Sequence, residues 1–272
     1  MNIKNHKKME IKSKNDIRES VMKNYKKVAL RNSLDSNKEA NCCSTDQNLA
    51  IVSEALGYTS LEYGQVPEGS NMGIGCGNPQ AIASLKQGET VLDLGSGGGF
   101  DCFLASKSVG SVGKVIGVDM TPEMLNKARI NKKKGKYYNT EFRLGEIEYL
   151  PVSDASIDVI ISNCVINLSP EKQQVFNEAF RVLKPGGRLA ISDIVTTVDL
   201  PDIIKKDEAL HNGCMAGASS IIELKKMLKN AGFSTIIIEP KDKSSEFIKD
   251  WAPNIDIENY IVSATIEAVK DN

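Results

Sequence analysis

The 272-residue sequence predicts an α/β fold: a doubly wound, mostly parallel sheet covered by helices on both faces, with an antiparallel C-terminal edge and N-terminal loop and helix decoration. Two observations carry that expectation. From Glu89 to Val195 short apolar, β-branched runs alternate with stretches of helical periodicity, the pattern that parallel strands with helical crossovers require. After Val195 the alternation loosens, and two further strand-like runs stand close enough to pair with each other as an antiparallel edge.

Each element follows from local chemistry. Residues 1–35 are polar and Lys-rich, yet Ile17, Val21, Tyr25 and Val28 recur at helical spacing and predict a short amphipathic helix. Residues 41–80 hold many glycines and read as a long ordered loop, with a helix near DQNLAIVSEALGY. TVLDLG and KVIGVDM are buried strands separated by the helix DCFLASKSVG. A second helix, TPEMLNKARINKKKG, opens with Thr121 as N-cap and Pro122 at its first position. TEFRLG and SIDVIISN are strands, PEKQQVFNEAFRVLK is a helix stopped at Pro185-Gly186-Gly187, and RLAISDIV is a strand. Beyond it, LPDIIKKDEALHNGCMAGA is helical or irregular and SIIELKKMLKNAGF is a helix ending at Gly232. STIIIEP and IENYIVSATIEAVK supply the edge pair. Three parts result: an N-terminal extension (1–70) with Cys42 and Cys43, a nucleotide-binding core (71–200), and a C-terminal part (201–272) that completes the sheet.

Composition narrows the function. With 41% hydrophobic and 25% charged residues, and 34 Lys+Arg against 35 Asp+Glu for a net charge of −1, the chain has no basic surplus for nucleic acid. No apolar run approaches the roughly 18 residues of a membrane span, and the Lys-rich start leads into no signal-peptide segment, so a cytoplasmic protein without a membrane partner is expected. In that compartment the six cysteines read as thiols, and the absence of C-x-x-C spacing with only two histidines argues against a zinc finger or ribbon.

The segment VLDLGSGGGFD places Gly95, Gly97 and Gly99 between a strand and a helix, where the backbone must turn sharply and a ligand approaches closely. Phe100 stands where the dinucleotide fingerprint requires glycine. Asp93 in the strand end and Asp119 at the end of the next strand suit a nucleoside whose ribose hydroxyls need an anionic acceptor. These residues resemble the class I S-adenosylmethionine-dependent methyltransferases, which implies a Rossmann-like fold. By that resemblance S-adenosylmethionine is held by Asp93, Gly95, Ser96, Gly97, Asp119, Met120 and Asn163, and adenine meets Glu146 and the backbone near Ile147.

Ligands of open α/β sheets sit outside the carboxyl ends of the strands. Cys164 directly follows SIDVIISN, Cys76 lies just ahead of the first strand, and Cys214 follows RLAISDIV, so all three belong to segments that could rim one pocket. Such a ring of thiols selects a soft acceptor, and trivalent arsenic fits: it takes three sulfurs and keeps a lone pair that needs no general base to attack a sulfonium methyl. Binding as a thiolate complex displaces protons, which predicts affinity rising with pH.

GIGCGNP, VLDLGSGGGFD, VIGVDMTPEML, SNCVINLSPEK, RVLKPGG, ISDIV and GCMAGA, in that order, resemble the arsenite methyltransferases. The resemblance implies Cys76, Cys164 and Cys214 as arsenic ligands, and Cys42 or Cys43 as the cysteine that forms a disulfide after methyl transfer, reset by thioredoxin or glutathione. It also implies arsenite or its thiol conjugates as substrate, and a tail after Trp251 shorter than in longer members of that family. Two other readings compete: a methyltransferase of the same fold acting on a small organic acceptor such as a quinone or sterol ring, and a non-catalytic arsenic-binding protein. Cys102 reads as packing, His211 as exposed, Trp251 as a packing anchor and Asp193 as a structural acid.

Overall fold

In the computed structural model, which describes residues 13–31, 46–252 and 254–271, the strands of the α/β core assemble one continuous sheet. In chain order the elements are α1 (Lys14–Leu30), α2 (Asp46–Ala55), α3 (Ser60–Gly64), α4 (Gln80–Ala83), β1 (Thr90–Leu94), α5 (Phe100–Val109), β2 (Lys114–Asp119), α6 (Pro122–Gly135), β3 (Thr140–Leu144) and β4 (Ile157–Asn163). They continue with α7 (Lys172–Val182), β5 (Leu183–Thr196), α8 (Asp202–Lys205), α9 (Glu208–Asn212), β6 (Ser219–Ser220), α10 (Ile221–Ala231), β7 (Ser234–Pro240), α11 (Ser245–Ile248) and β8 (Ile261–Val269).

The sheet order is β3-β2-β1-β4-β5-β8-β7, with β6 paired to β5 alone. The apolar runs of β1 and β4 put Val91, Leu92, Ile160 and Ile161 on the two faces, all fully buried, as a sheet with helices on both sides demands. β1 through β5 pair in parallel; β8 runs antiparallel to β5 and to β7. The chain winds from β1 outward through β2 to β3, then crosses back to β4, so strand order reverses between β1 and β4. A ligand crevice belongs at that reversal, outside the strand ends.

Helix ends follow their caps. Ser13 and Asp16 close α1, and Ser220 and Glu223 close α10, each by reciprocal hydrogen bonds, and α10 stops on Gly232 at φ +107°. Helix α7 ends at Val182, two residues short of the expected span. Lys184 precedes Pro185, whose ring excludes the helical conformation there, and β5 takes over from Leu183. Thr121 holds the N-cap position of α6, but its side chain accepts no capping hydrogen bond. Cys42 and Cys43 lie outside the described residues.

Candidate active site at the strand reversal

The loop after β1 is built so that only glycine fits its first position. Gly95 has φ +71°, and a Cβ there would come within 2.4 Å of Val165. Its amide and that of Ser96 donate to the Val118 carbonyl at 2.8 and 3.0 Å, which tucks the loop against the end of β2. Asp119, the last residue of β2, accepts from the Gly97 amide at 2.9 Å with one carboxylate oxygen and from the Thr121 amide at 2.8 Å with the other. The acid two residues earlier thus fixes the N-cap residue Thr121 by its own amide. Burial raises the Asp119 pKa, partly offset by those amide hydrogen bonds. The Ser96 hydroxyl is buried without a hydrogen-bond partner among the described residues.

The loop faces a cavity of about 770 Å³, lined also by Asp93, Asp119, Met120, Ile147 and Asn163. That is within the range of a small-molecule site, roughly 300–1,000 Å³. Asp93 is buried, and the Cys102 thiol donates to it at 3.2 Å, so Cys102 packs beneath the loop and supports an acid that faces the ligand space. Burial and neighbouring Asp101 push the Asp93 pKa up.

Of the expected cofactor contacts, Glu146 lies off the cavity lining, and Asn163 lines it with its amide engaged by protein partners. Glu146 turns outward to pair with Arg18 at 3.5 Å and is not among the cavity-lining residues; Glu148, two positions on in the same turn, lines the cavity and is buried. The Asn163 amide is engaged within the protein: its Oδ1 accepts from the Cys76 amide at 3.0 Å, and its Nδ2 donates to the Gly77 carbonyl at 2.8 Å and the Tyr58 hydroxyl at 3.1 Å. Asn163 therefore ties the Cys76 loop to the tip of β4. Tyr58, which sequence reasoning missed, extends the tie by donating to buried Asp101 at 2.8 Å.

The thiols of three distant segments converge beneath the cavity. The sulfurs of Cys76 and Cys164 and a carboxylate oxygen of Asp193 all lie within 4.8 Å of one another, and the Cys214 thiol donates to the Cys164 carbonyl at 2.7 Å. Cys164 and Cys214 line the cavity; Cys76 is fully buried and does not. Its carbonyl accepts from Ser263 at 2.6 Å. Cys164 and Cys214 occupy left-handed backbone at φ +58° and +65°, a region that residues with a side chain seldom adopt. Burial pushes the Cys76 thiol up to about 11. Contact with Cys164, then burial, holds Cys214 well above the ordinary thiol range. The hydrogen bond from Cys214 works the other way on Cys164, but Cys76 and burial outweigh it and its pKa is raised.

Helix α1 covers the cavity. Val21, Tyr25 and Val28 face it, and Arg18 anchors the helix to Glu148 at 3.3 Å and Glu171 at 2.5 Å, with Lys26 paired to Glu123 at 2.7 Å. Trp251 packs against Phe247 and also lines the cavity. His211, expected to be exposed, is partly buried with its ring nitrogen 3.4 Å from the Leu168 carbonyl. Asp193 is structural as expected, accepting from the Ile166 and Ile194 amides, but it also stands beside the thiols.

A doubly wound sheet with a glycine cradle, an acid closing the second strand and a covered cavity at the strand reversal defines a nucleoside-cofactor enzyme fold. Residues 85–232 match the methyltransferase domain family, and the chain belongs to it. Among curated proteins it is 56% identical to an arsenite methyltransferase of Halobacterium salinarum, over 87% of this chain and 60% of that one. It is 40% identical to an arsenite methyltransferase of Aquipseudomonas alcaligenes, over 79% and 62%. The chain thus spans about three fifths of the length of these relatives. Its fold is similar to the crystal structure of an arsenic (III) S-adenosylmethionine methyltransferase from Chlamydomonas reinhardtii, with a TM-score of 0.59, 33% identity, and coverage of 81% of this chain and 73% of that chain. Among the described residues no helix is long and apolar enough to cross a membrane.

Proposed function

We propose that this chain transfers methyl groups from S-adenosylmethionine to trivalent arsenic bound by Cys76, Cys164 and Cys214, giving methylated arsenicals. The observation that carries this reading is the meeting of three thiols, far apart in sequence, beneath the cavity that the glycine loop lines.

The residues fit the donor. Gly95 and Gly97, at φ +71° and +50°, make the tight turn that sets the loop backbone against the cavity, Asp119 offers a carboxylate for ribose hydroxyls, and the Ser96 hydroxyl, unpartnered among the described residues, offers one further polar contact. S-adenosylmethionine, when bound, supplies an electrophilic methyl group on a sulfonium. The thiols do the rest of the positioning. Arsenous acid condenses with three protonated thiols, forming three As–S bonds and releasing three waters; each thiol proton leaves on a departing hydroxyl. Arsenic so held keeps its lone pair and carries no proton, so no histidine or carboxylate is needed as base, only alignment toward the cavity. Helix α1, closed over the site by Arg18, keeps water from the electrophile.

Methyl transfer leaves arsenic pentavalent, and return to the trivalent state takes two electrons. A thiol pair supplies them by forming a disulfide. Cys42 or Cys43 fills that role in this reading, with thioredoxin or glutathione as the reductant and the cytoplasm as the compartment that keeps the thiols reduced.

The test is incubation of the reduced chain with labelled donor, arsenite and a thiol, followed by chromatography of the arsenicals. Label enters methylarsenicals with the unaltered chain and not with Cys164→Ser. Undiminished transfer by Cys164→Ser refutes the arsenic role, and transfer to a quinone-type acceptor without arsenic methylation establishes the competing reading instead.

A further inference from the structure

Asp193 is left over by the proposed chemistry, which needs only sulfur. Its carboxylate is almost fully buried, and Lys172 acts on it only from beyond ion-pair distance. One oxygen accepts from the Asn167 side chain at 2.8 Å and the Ile194 amide at 2.7 Å, the other from the Ile166 amide at 2.9 Å. These hydrogen bonds, joined by a backbone contact from Asn167, fix its orientation. A buried carboxylate with no cation in contact among the described residues, held rigidly beside two thiols, is an incomplete arrangement.

We propose that Cys76, Cys164, Cys214 and Asp193 form a binding site for a thiophilic divalent cation, zinc or cadmium, which competes with trivalent arsenic for the same sulfurs. Three sulfurs and one carboxylate are a tetrahedral donor set for these ions, whereas calcium and magnesium require oxygen cages. Ligand atoms around tetrahedral zinc stand about 3.7 Å apart, given Zn–S bonds of about 2.3 Å. The two sulfurs and the oxygen already lie within 4.8 Å of one another, so closing these three takes about an ångström, while the Cys214 sulfur, outside that group and bonded to the Cys164 carbonyl, must turn in to complete the set. With the Cys76 backbone braced by Asn163 and Ser263, the closure falls to side-chain rotation of the thiols. The hydrogen bonds to Asp193 are the outer contacts that orient ligating carboxylates, and Cys164 and Cys214 open onto the cavity by which an ion enters. The thiol protons leave to solvent as the sulfurs bind. The carboxylate matters to a cation because it supplies negative charge; neutral arsenous acid, which loses hydroxyls as water, has no use for it.

The site shares its thiols with the proposed function, so the experiment separates the two. The reduced, metal-free chain is titrated with Zn²⁺ against a chromophoric chelator, and with Cd²⁺ while the ultraviolet thiolate charge-transfer band is followed. One ion per chain is expected, and zinc-loaded protein should capture phenylarsine oxide at least ~10-fold more slowly than metal-free protein. Asp193→Asn should weaken zinc by ~10-fold or more, the range over which even outer contacts act, with Asp193→Glu restoring part of it, while phenylarsine oxide capture persists. No zinc binding, arsenical capture indifferent to zinc, or equal zinc affinity in Asp193→Asn and the unaltered chain would each overturn the proposal. If Asp193→Asn does not fold, competition in the unaltered chain decides. Zinc binding that survives when metal-free protein methylates no arsenic would sink the functional reading and leave the metal site standing.

Discussion

Replacing Asn163 by alanine separates a cofactor contact from a brace for the thiol loop. The substitution removes hydrogen bonds to the Cys76 amide at 3.0 Å, the Gly77 carbonyl at 2.8 Å and the Tyr58 hydroxyl at 3.1 Å. At about 0.5–1.5 kcal/mol each, the loss is about 2–4 kcal/mol of folding stability, or roughly 5–15 °C in melting temperature. The functional consequence should be selective. With the Cys76 amide released, its thiol is no longer held near Cys164, and arsenite, which in the proposed chemistry takes all three sulfurs, should bind about tenfold or more weakly; tenfold corresponds to about 1.4 kcal/mol. S-adenosylhomocysteine, which the proposed function assigns to the glycine loop and Asp119, should bind within about twofold of its original affinity. Trp251, the one tryptophan in the chain, lines the cavity and gives a fluorescence signal for both titrations. Equal losses for arsenite and S-adenosylhomocysteine would return Asn163 to the cofactor and refute the bracing role.

Three other outcomes are expected. Asp119→Ala should weaken S-adenosylmethionine binding by about 1–3 kcal/mol through lost charge-assisted hydrogen bonds, and unchanged calorimetric affinity would remove Asp119 from the site. The thiols are held protonated, Cys76 up to about 11, and arsenous acid takes their protons away as water, so arsenite affinity should stay flat from pH 6 to 8 instead of rising as the sequence reading predicts; a rise of tenfold per pH unit in a binding titration would show that thiolates are the binding species. Burial raises Asp101 to about 6, above its unfolded value, so its contribution to stability is complete below the unfolded pKa and is lost as pH climbs through 6. Asp101→Asn should therefore flatten the decline in unfolding free energy between pH 4 and 7 by on the order of 3 kcal/mol, and parallel denaturation curves for the two proteins at all pH values would rule this out.

What the sequence made legible was local. The β-branched runs of β1, β2 and β4 declare buried strands, and Ser220, Glu223 and Gly232 bracket α10, because strand burial and helix capping are decided within a few residues. The pairing of β7 with β8 was likewise readable. The position of β8 between β5 and β7 was not, since it is set by packing against β5 over nine residue pairs, whose partners lie some seventy positions away. The segment after β5 reads as helical or irregular, undecided between the two, for a related reason: α8 and α9 are too short for helical periodicity to show.

The same division runs through the site. The glycine loop and Asp119 are adjacent in the chain or joined by neighbouring strands, so spacing alone exposes them. Asn163 and Glu146 also stand beside sequence motifs, yet their side chains answer to Cys76, Tyr58 and Arg18, partners supplied by segments whose approach no local pattern records. The cysteines fall between these cases. Each occurs at a recognisable strand tip or glycine-rich loop, but the argument for chemistry over packing comes from the backbone. A left-handed conformation costs a residue with a side chain roughly 1–2 kcal/mol relative to ordinary helical or extended backbone, and glycine or asparagine avoids most of that cost. Cys164 and Cys214 both accept it, at φ +58° and +65°. A residue retained for apolar packing would gain no more there than in a relaxed turn. A thiol held at both places, and aimed with the other at one cavity, makes sense when the sulfur itself is what the position requires.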